Sequence, residues 1–266
     1  MLLTGASGLL GHWMMTTASA DAPLVALTHR HGVSGVSEVR ADLRDAGSTM
    51  TAVGRANPSL IVHAAYAHDR AAVVDATEHV VAAACEVGAD ILFISTDAVF
   101  GGDGIERDEA SQPDPVWDYG RWKAEAEDVV ARRCSNAAIV RLPLLVSIDP
   151  DDHVVREIRR RVMRDETTQW FIDETRQPAP ASEIAAAIWK IVELTSVARS
   201  GVWHLPGAEC LTRHEIALRV VKRLGARGEL VRGTTTPQGA IRPRHIMFTG
   251  ARASATIGWN PSPVLH

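Results

Sequence analysis

Thr4-Gly5-Ala6-Ser7-Gly8-Leu9-Leu10-Gly11 stands almost at the start of the chain, and its reading decides the fold. Only Met1, Leu2 and Leu3 precede it, an apolar start of strand type, and a helix-like stretch over 11–19 follows. Three glycines at this spacing between a strand and a helix have separate duties. Gly5 permits the tight bend, Gly8 lets backbone approach a dinucleotide pyrophosphate, and Gly11 lets the helix pack on the sheet. Amide groups at the helix start then face the phosphates, with Ser7, Leu9 and Leu10 in the same turn.

Working outward, strand-length apolar runs recur: Leu24-Val25-Ala26-Leu27, Leu60-Ile61-Val62-His63-Ala64, Ile91-Leu92-Phe93-Ile94-Ser95 and Ala138-Ile139-Val140-Arg141-Leu142. Helical patterns over 46–56, 69–87 and 119–133 separate them. Strands alternating with helices build a parallel, doubly wound α/β sheet, because parallel neighbours need a crossover. After residue 148 the rhythm changes. Helical stretches over 152–164, 182–195 and 213–224 alternate with short apolar pieces at 170–172, 202–205 and 245–248. The expected organisation is a nucleotide-binding domain over 1–148 and a smaller mixed α/β substrate lobe over 149–266. That lobe is expected to pack at the carboxyl ends of the strands.

The chain has 266 residues, 46% hydrophobic and 23% charged, as a globular enzyme does. A net charge of -4 gives no electrostatic footprint for nucleic acid. Of 28 basic residues only Lys123, Lys190 and Lys222 are lysine. The basic run over 156–164 reads as a solvated helix face or a phosphate contact. Cys85, Cys134 and Cys210 fit neither a disulfide framework nor a zinc spacing, so the expectation is a reducing cytoplasm and no metal. No apolar run has membrane-spanning length.

Tyr119-Gly120-Arg121-Trp122-Lys123 carries the second signal. Spacing of four puts a phenol and an ammonium on one helix face. Ser95-Thr96-Asp97 ends a strand and faces the ligand crevice. A free phenol has a pKa of about 10, and a neighbouring ammonium would lower it. So tuned, Tyr119 can protonate a carbonyl oxygen while Thr96 hydrogen-bonds that oxygen and hydride arrives at the carbon. At the end of the second strand, Thr28-His29-Arg30-His31 has no acid for a ribose hydroxyl. Arg30 can pair with a 2′-phosphate and Thr28 can donate a hydroxyl, so the expected cofactor is NADP(H). Asp42-Leu43, where a third strand should end, can hold the adenine, or Asp42 can be a surface charge or helix cap. Ala64-Ala65 would let the nicotinamide ribose lie against backbone.

These motifs resemble the extended short-chain dehydrogenase/reductase superfamily. More closely, Ser95-Thr96-Asp97-Ala98-Val99-Phe100-Gly101-Gly102 with Glu109, Pro115 and Tyr119-Gly120 is similar to the dTDP-4-dehydrorhamnose reductase family. So are Asp173-Glu174 through Pro178, Ser182-Glu183-Ile184-Ala185, and Arg242-Pro243 followed by Ile257-Gly258-Trp259-Asn260-Pro261. The resemblance implies a Rossmann fold, NADPH, and reduction of a nucleotide-linked 4-keto-6-deoxyhexose. It implies Thr96, Tyr119 and Lys123 as catalytic residues. It places Gly5, Gly8, Leu9, Leu10, Arg30, Asp42, Leu43, Ala64, Ala65, Tyr66 and Lys123 on the cofactor and Pro143 near the nicotinamide. Ser7, Gly11, Thr28, His29 and Ser95 complete the expected cofactor set. Superfamily members that dimerise through helices like 69–87 and 119–133 imply a homodimer.

Departures fall near the sugar. Ala98 stands where the family commonly has tyrosine, Asp75 where asparagine is frequent, and Pro143-Leu144-Leu145-Val146-Ser147 lacks an aromatic. The expected substrate residues are Thr96, Ala98, Trp117, Tyr119, Arg176 and Arg242, the two arginines reading either as diphosphate ligands or as ion pairs. Trp117 and Trp122 flank Tyr119, while Trp13, Trp189 and Trp203 read as core. His68 and Asp69 read as crevice residues. Two other functions remain open: an epimerase or dehydratase with tightly held cofactor, and a non-catalytic NADP-binding regulatory subunit of a partner enzyme.

Overall fold

A computed structural model describes residues 1–19 and 22–265. Seven strands form the central sheet: β1 (Leu2–Thr4), β2 (Val25–Thr28), β3 (Ser37–Arg40), β4 (Leu60–His63), β5 (Asp90–Thr96), β6 (Ala138–Leu142) and β7 (Gly201–His204). Their order is 3-2-1-4-5-6-7, with every neighbour parallel. The order reverses between β1 and β4, whose carboxyl ends therefore open a ligand crevice. The helices are α1 (Leu9–Thr16), α2 (Ala46–Ala56), α3 (Ala76–Val87), α4 (Asp118–Arg133), α5 (His153–Val162), α6 (Ala181–Val192), α7 (Ser196–Arg199), α8 (Arg213–Arg223) and α9 (Ala251–Ile257).

Successive strand residues feed opposite cores, which explains the unbroken apolar runs. Leu3, Val62 and Leu92 face α1, α6 and α9 through Leu10, Met14, Ile184, Ile188 and Ile257. Leu2, Ile61, Ile91 and Phe93 face α2, α3 and α4 through Val53, Val80, Ala84, Ala126 and Val130. Trp203 is fully buried, and Trp13 and Trp189 pack against the first core.

The stretch beyond residue 148 contributes to the main sheet as well as to a lobe of its own. Residues 201–204, read as part of the lobe, pair with β6 in the main sheet, and α6 and α9 share a face with α1. A short apolar run has the same local signature in either place, and only the open edge of β6 selects its partner. The remaining lobe has its own core, built by α5 and α8 from Val154, Val155, Ile158, Ala217, Val220 and Val221. Strands Asp103–Arg107, Thr175–Arg176, Leu211–Thr212 and His245–Phe248 form a second sheet beside it. The third main strand ends at Arg40, so Asp42-Leu43 lies just beyond it. Among the described residues no helix is long and apolar enough to cross a membrane.

Candidate active site

The glycine turn sits at the switch point between β1 and β4. Gly5 has φ +69°, and a Cβ there would fall 2.7 Å from the Ala65 nitrogen. A Cβ on Gly11 would fall 2.5 Å from the Gly5 and Ala6 carbonyl oxygens. Gly8 is the N-cap of α1, whose first turn carries no acidic side chain, so nothing there opposes a phosphate. Ser7, Leu9, Leu10, Gly11 and Ala64 line the cleft above this turn, and Ala65 lines its adenosine end.

A buried network braces the turn from below. The Thr4 hydroxyl accepts from the Ala64 and Ala65 amides (3.1 Å each), so its proton goes to His63 Nδ1 (2.7 Å). The Thr77 hydroxyl donates to the Val73 carbonyl and therefore accepts from His63 Nε2 (3.2 Å). This chain of donors fixes one neutral tautomer. Burial, then the Lys123 charge, push His63 down to about 3.

At the adenosine end a cleft of ≈440 Å³ is lined by Thr28, His29, Arg30, Asp42, Leu43 and Ala65. Arg30 is exposed and forms no ion pair among the described residues. The Thr28 hydroxyl donates to Glu38 (3.1 Å), a carboxylate that also accepts from the Val33 amide and from Arg40. Thr28 therefore lines this cleft while its hydroxyl anchors the β2 end on Glu38. Both Asp42 oxygens are held by Arg44 (3.0 and 2.7 Å), which keeps that carboxyl well below its usual range.

The larger cleft, ≈630 Å³, brings together Thr96, Tyr119, Lys123, Tyr66, His68, Ala98, Trp117 and Pro143. Helix α4 comes close because position 120 is glycine: a Cβ there would lie 2.1 Å from the Ala98 carbonyl oxygen. Tyr66, His68 and Trp117 surround Tyr119 with ring centroids 6.1, 6.0 and 5.8 Å away. Burial, then Tyr66 and Asp97, push the Tyr119 phenol above its ordinary value, while a hydrogen bond with Thr96 opposes the rise. Lys123 does not lower it here. Its Nζ donates to the Ile94 carbonyl (2.9 Å) and lies 4.7 Å from the Phe93 ring centre. Burial takes Lys123 down to about 8 against the supporting charge of Glu127. The phenol thus keeps its proton at neutral pH.

Ser95 lines the cleft, and its hydroxyl donates to Glu127. Glu127 pairs with Arg141 (2.8 Å) in the interior, and Arg141 reaches His204 Nε2 (3.3 Å). His204 Nδ1 donates to the Thr249 carbonyl (2.9 Å), which leaves Nε2 as the acceptor. Trp122 packs against the core on the α3 side, away from the cleft.

The arginines sort in a way that spacing did not show. Arg242 pairs with the fully buried Glu174 and lies between the Trp117 and Phe171 rings (5.7 and 5.3 Å). Arg176 donates to the Thr175, Arg244 and Pro243 carbonyls. Both line the cleft, and their ion-pair and scaffold contacts match the ion-pair alternative of the sequence reading. Arg213, absent from the sequence expectation, lines the same cleft and stacks on Trp170 (5.6 Å) without an ion pair or side-chain hydrogen bond among the described residues. Burial, then Arg176, lower it to about 10. Arg156 and His153 line the same cleft. Within that basic run Arg159 pairs with Asp151, and Arg160 and Arg161 pair with Glu157. A lone arginine after a capping threonine leaves no signal in sequence that its charge is unpaired.

A doubly wound sheet with a phosphate-type turn at its switch point, and a hydroxyl, phenol and ammonium in the adjoining cleft, define a short-chain dehydrogenase/reductase architecture. Within that class, the chain belongs to the RmlD substrate binding domain family, whose model matches residues 1–264. It is 28% identical to a dTDP-4-dehydrorhamnose reductase of Streptomyces griseus, over 96% of this chain and 86% of that protein. It is 26% identical to methionine adenosyltransferase 2 subunit beta of Bos taurus, over 97% of this chain and 82% of that protein. The fold matches a dTDP-4-dehydrorhamnose reductase of Bacillus anthracis solved with NADP (TM-score 0.83, 21% identity), covering 98% of this chain and 94% of that one.

Proposed function

We propose that the protein is an NADPH-dependent reductase acting on the ketone of a nucleotide-linked 4-keto-6-deoxy sugar. The observation that carries this reading is the meeting of Thr96, Tyr119 and Lys123 in the cleft that runs on from the Gly5–Gly11 turn. NADPH fits that turn, where side chains would block the approach, and supplies hydride when bound. The chain's own residues handle the oxygen. Tyr119 holds a proton for it, and the Thr96 hydroxyl stands beside that phenol. As the carbonyl carbon gains hydride, the oxygen takes the Tyr119 proton, and solvent restores the phenol. Lys123, whose Nζ is held on the Ile94 carbonyl, would offer a cation to the cofactor ribose, and Arg30, lining the second cleft, would pair with a 2′-phosphate. Arg213, without an ion pair among the described residues, offers its guanidinium to the diphosphate of the sugar nucleotide.

The test is loss of nicotinamide absorbance with a panel of nucleotide-linked 4-ketosugars. Tyr119→Phe should lower turnover by about 10²–10⁴-fold while NADPH affinity stays constant. A variant that turns over like wild type rejects the role of Tyr119. A second reading, a cofactor-binding subunit of a partner enzyme, draws on the relatives named as methionine adenosyltransferase 2 subunit beta. Tight NADPH binding with no consumption across the panel favours it.

A further inference from the structure

Cys85 and Cys134 stand far apart in sequence and meet where two helices end. Cys85 is exposed in the last turn of α3, and half-buried Cys134 caps the carboxyl end of α4. The Cys85 thiol donates to the carbonyl of Arg133 (3.8 Å), the residue next to Cys134, and its sulfur accepts from the Cys134 thiol. Backbone bonds hold both helix ends in place. The Cys85 carbonyl accepts from the Gly88 amide (3.4 Å), and the Cys134 amide donates to the Val130 carbonyl (3.0 Å). The Cys134 carbonyl in turn accepts from Ala137 (3.2 Å). The Cys134 side chain packs against the core that α3 and α4 share. Burial, then Cys85, push its thiol up to about 11, so Cys134 stays protonated while Cys85 faces solvent.

We propose that Cys85 and Cys134 form a reversible oxidation site, at which hydrogen peroxide turns the two thiols into a disulfide that ties α3 to α4. Cys85, as thiolate, attacks one peroxide oxygen. The O–O bond breaks, the other oxygen leaves as water, and Cys85 becomes a sulfenic acid. The Cys134 sulfur then bonds to the Cys85 sulfur, the S–O bond breaks, and the hydroxyl leaves with the Cys134 proton as a second water. The sulfurs are oxidised and the peroxide is reduced. A small dithiol reverses the step by exchange. The site lies where β5 and β6 begin, at the opposite end of the sheet from the crevice. A bridge there restricts the unfolded chain and leaves the cleft residues untouched, so its effect falls on stability.

The test compares the whole chain held in dithiothreitol with the same protein exposed to hydrogen peroxide and then cleared of it. Peptide mapping by mass spectrometry should find Cys85 joined to Cys134 only after oxidation, and dithiothreitol should separate them. Tm should rise by about 5–10 °C on oxidation and return on reduction. NADPH affinity should be the same in both states, which keeps the result independent of the ketone reduced. Cys85→Ser and Cys134→Ser should each lose the bridge and the rise in Tm, whereas Cys210→Ser should keep both. Thiols that stay unjoined under peroxide overturn the proposal. So does Cys85 carried on to a sulfinic acid with Cys134 free, or a cross-link that forms only between two chains.

Discussion

Glu127→Gln tests whether the interior beneath α4 supports both stability and the Lys123 charge. Glu127 lies one turn beyond Lys123 on the same helix face and is 4% exposed. It accepts from Ser95 and from Arg141 through Nε and Nη2 (3.1 and 2.8 Å). Glutamine keeps the shape but turns one acceptor into a donor facing a guanidinium. Arg141 is 3% exposed, and its remaining contacts, the Ser111 carbonyl and His204, carry no negative charge. Breaking a buried pair in this way costs about 3–5 kcal/mol. At roughly 2–4 °C per kcal/mol for a chain of this size, Tm should fall by about 6–20 °C. Glu127 is also the charge that opposes burial at Lys123, so its loss moves Lys123 below about 8. The alkaline decline of NADPH affinity should then begin at lower pH than in wild type. Thermal unfolding reads the first effect, and NADPH titrations across the range from about pH 6 to 9 read the second. A Tm within about 2 °C of wild type, with an unmoved alkaline limb, would refute the reasoning.

Arg30→Ser should weaken NADPH by about 10–100-fold and leave NADH nearly untouched, because only the 2′-phosphate loses a charge-assisted partner. Parallel titrations of the two cofactors check this. Arg213→Met, which keeps length and stacking on Trp170, should raise KM for a nucleotide sugar by about 10–100-fold at constant NADPH affinity. An unchanged KM removes Arg213 from the diphosphate. His63 and His204 sit at about 3 and about 4, below an ordinary value of about 6.5. The unfolded chain binds these protons first as pH falls, so the stability they allow is present above about pH 6.5 and is lost toward pH 4. Between about pH 7 and pH 5 the loss should be roughly 2 kcal/mol for each histidine. Urea unfolding at the two pH values measures it, and equal stability at both would contradict the buried neutral tautomers.

Much of the fold and part of the cleft are legible in local spacing. Helix α2 matches its expected span, and α4 and α8 fall within a residue of theirs, because amphipathic period and capping residues act over a few positions. The turn over 4–11 and the four-residue step from Tyr119 to Lys123 are likewise backbone geometry written in one stretch of chain. The Ser95 and Thr28 hydroxyls are different. Their acceptors, Glu127 and Glu38, lie 32 and 10 residues away, and nothing local marks either pairing.

The sequence by itself determined a doubly wound α/β chain with a phosphate-type glycine turn and a phenol–ammonium pair, since each is a short-range pattern with one steric solution. Only the tertiary structure decided that residues 201–204 return to the main sheet, and that Lys123 points to the Ile94 carbonyl. It alone decided which arginines are spent, and that Arg213 forms no ion pair among the described residues. Charge pairing and desolvation depend on neighbours brought from distant parts of the chain, and those neighbours exist only once the core has closed.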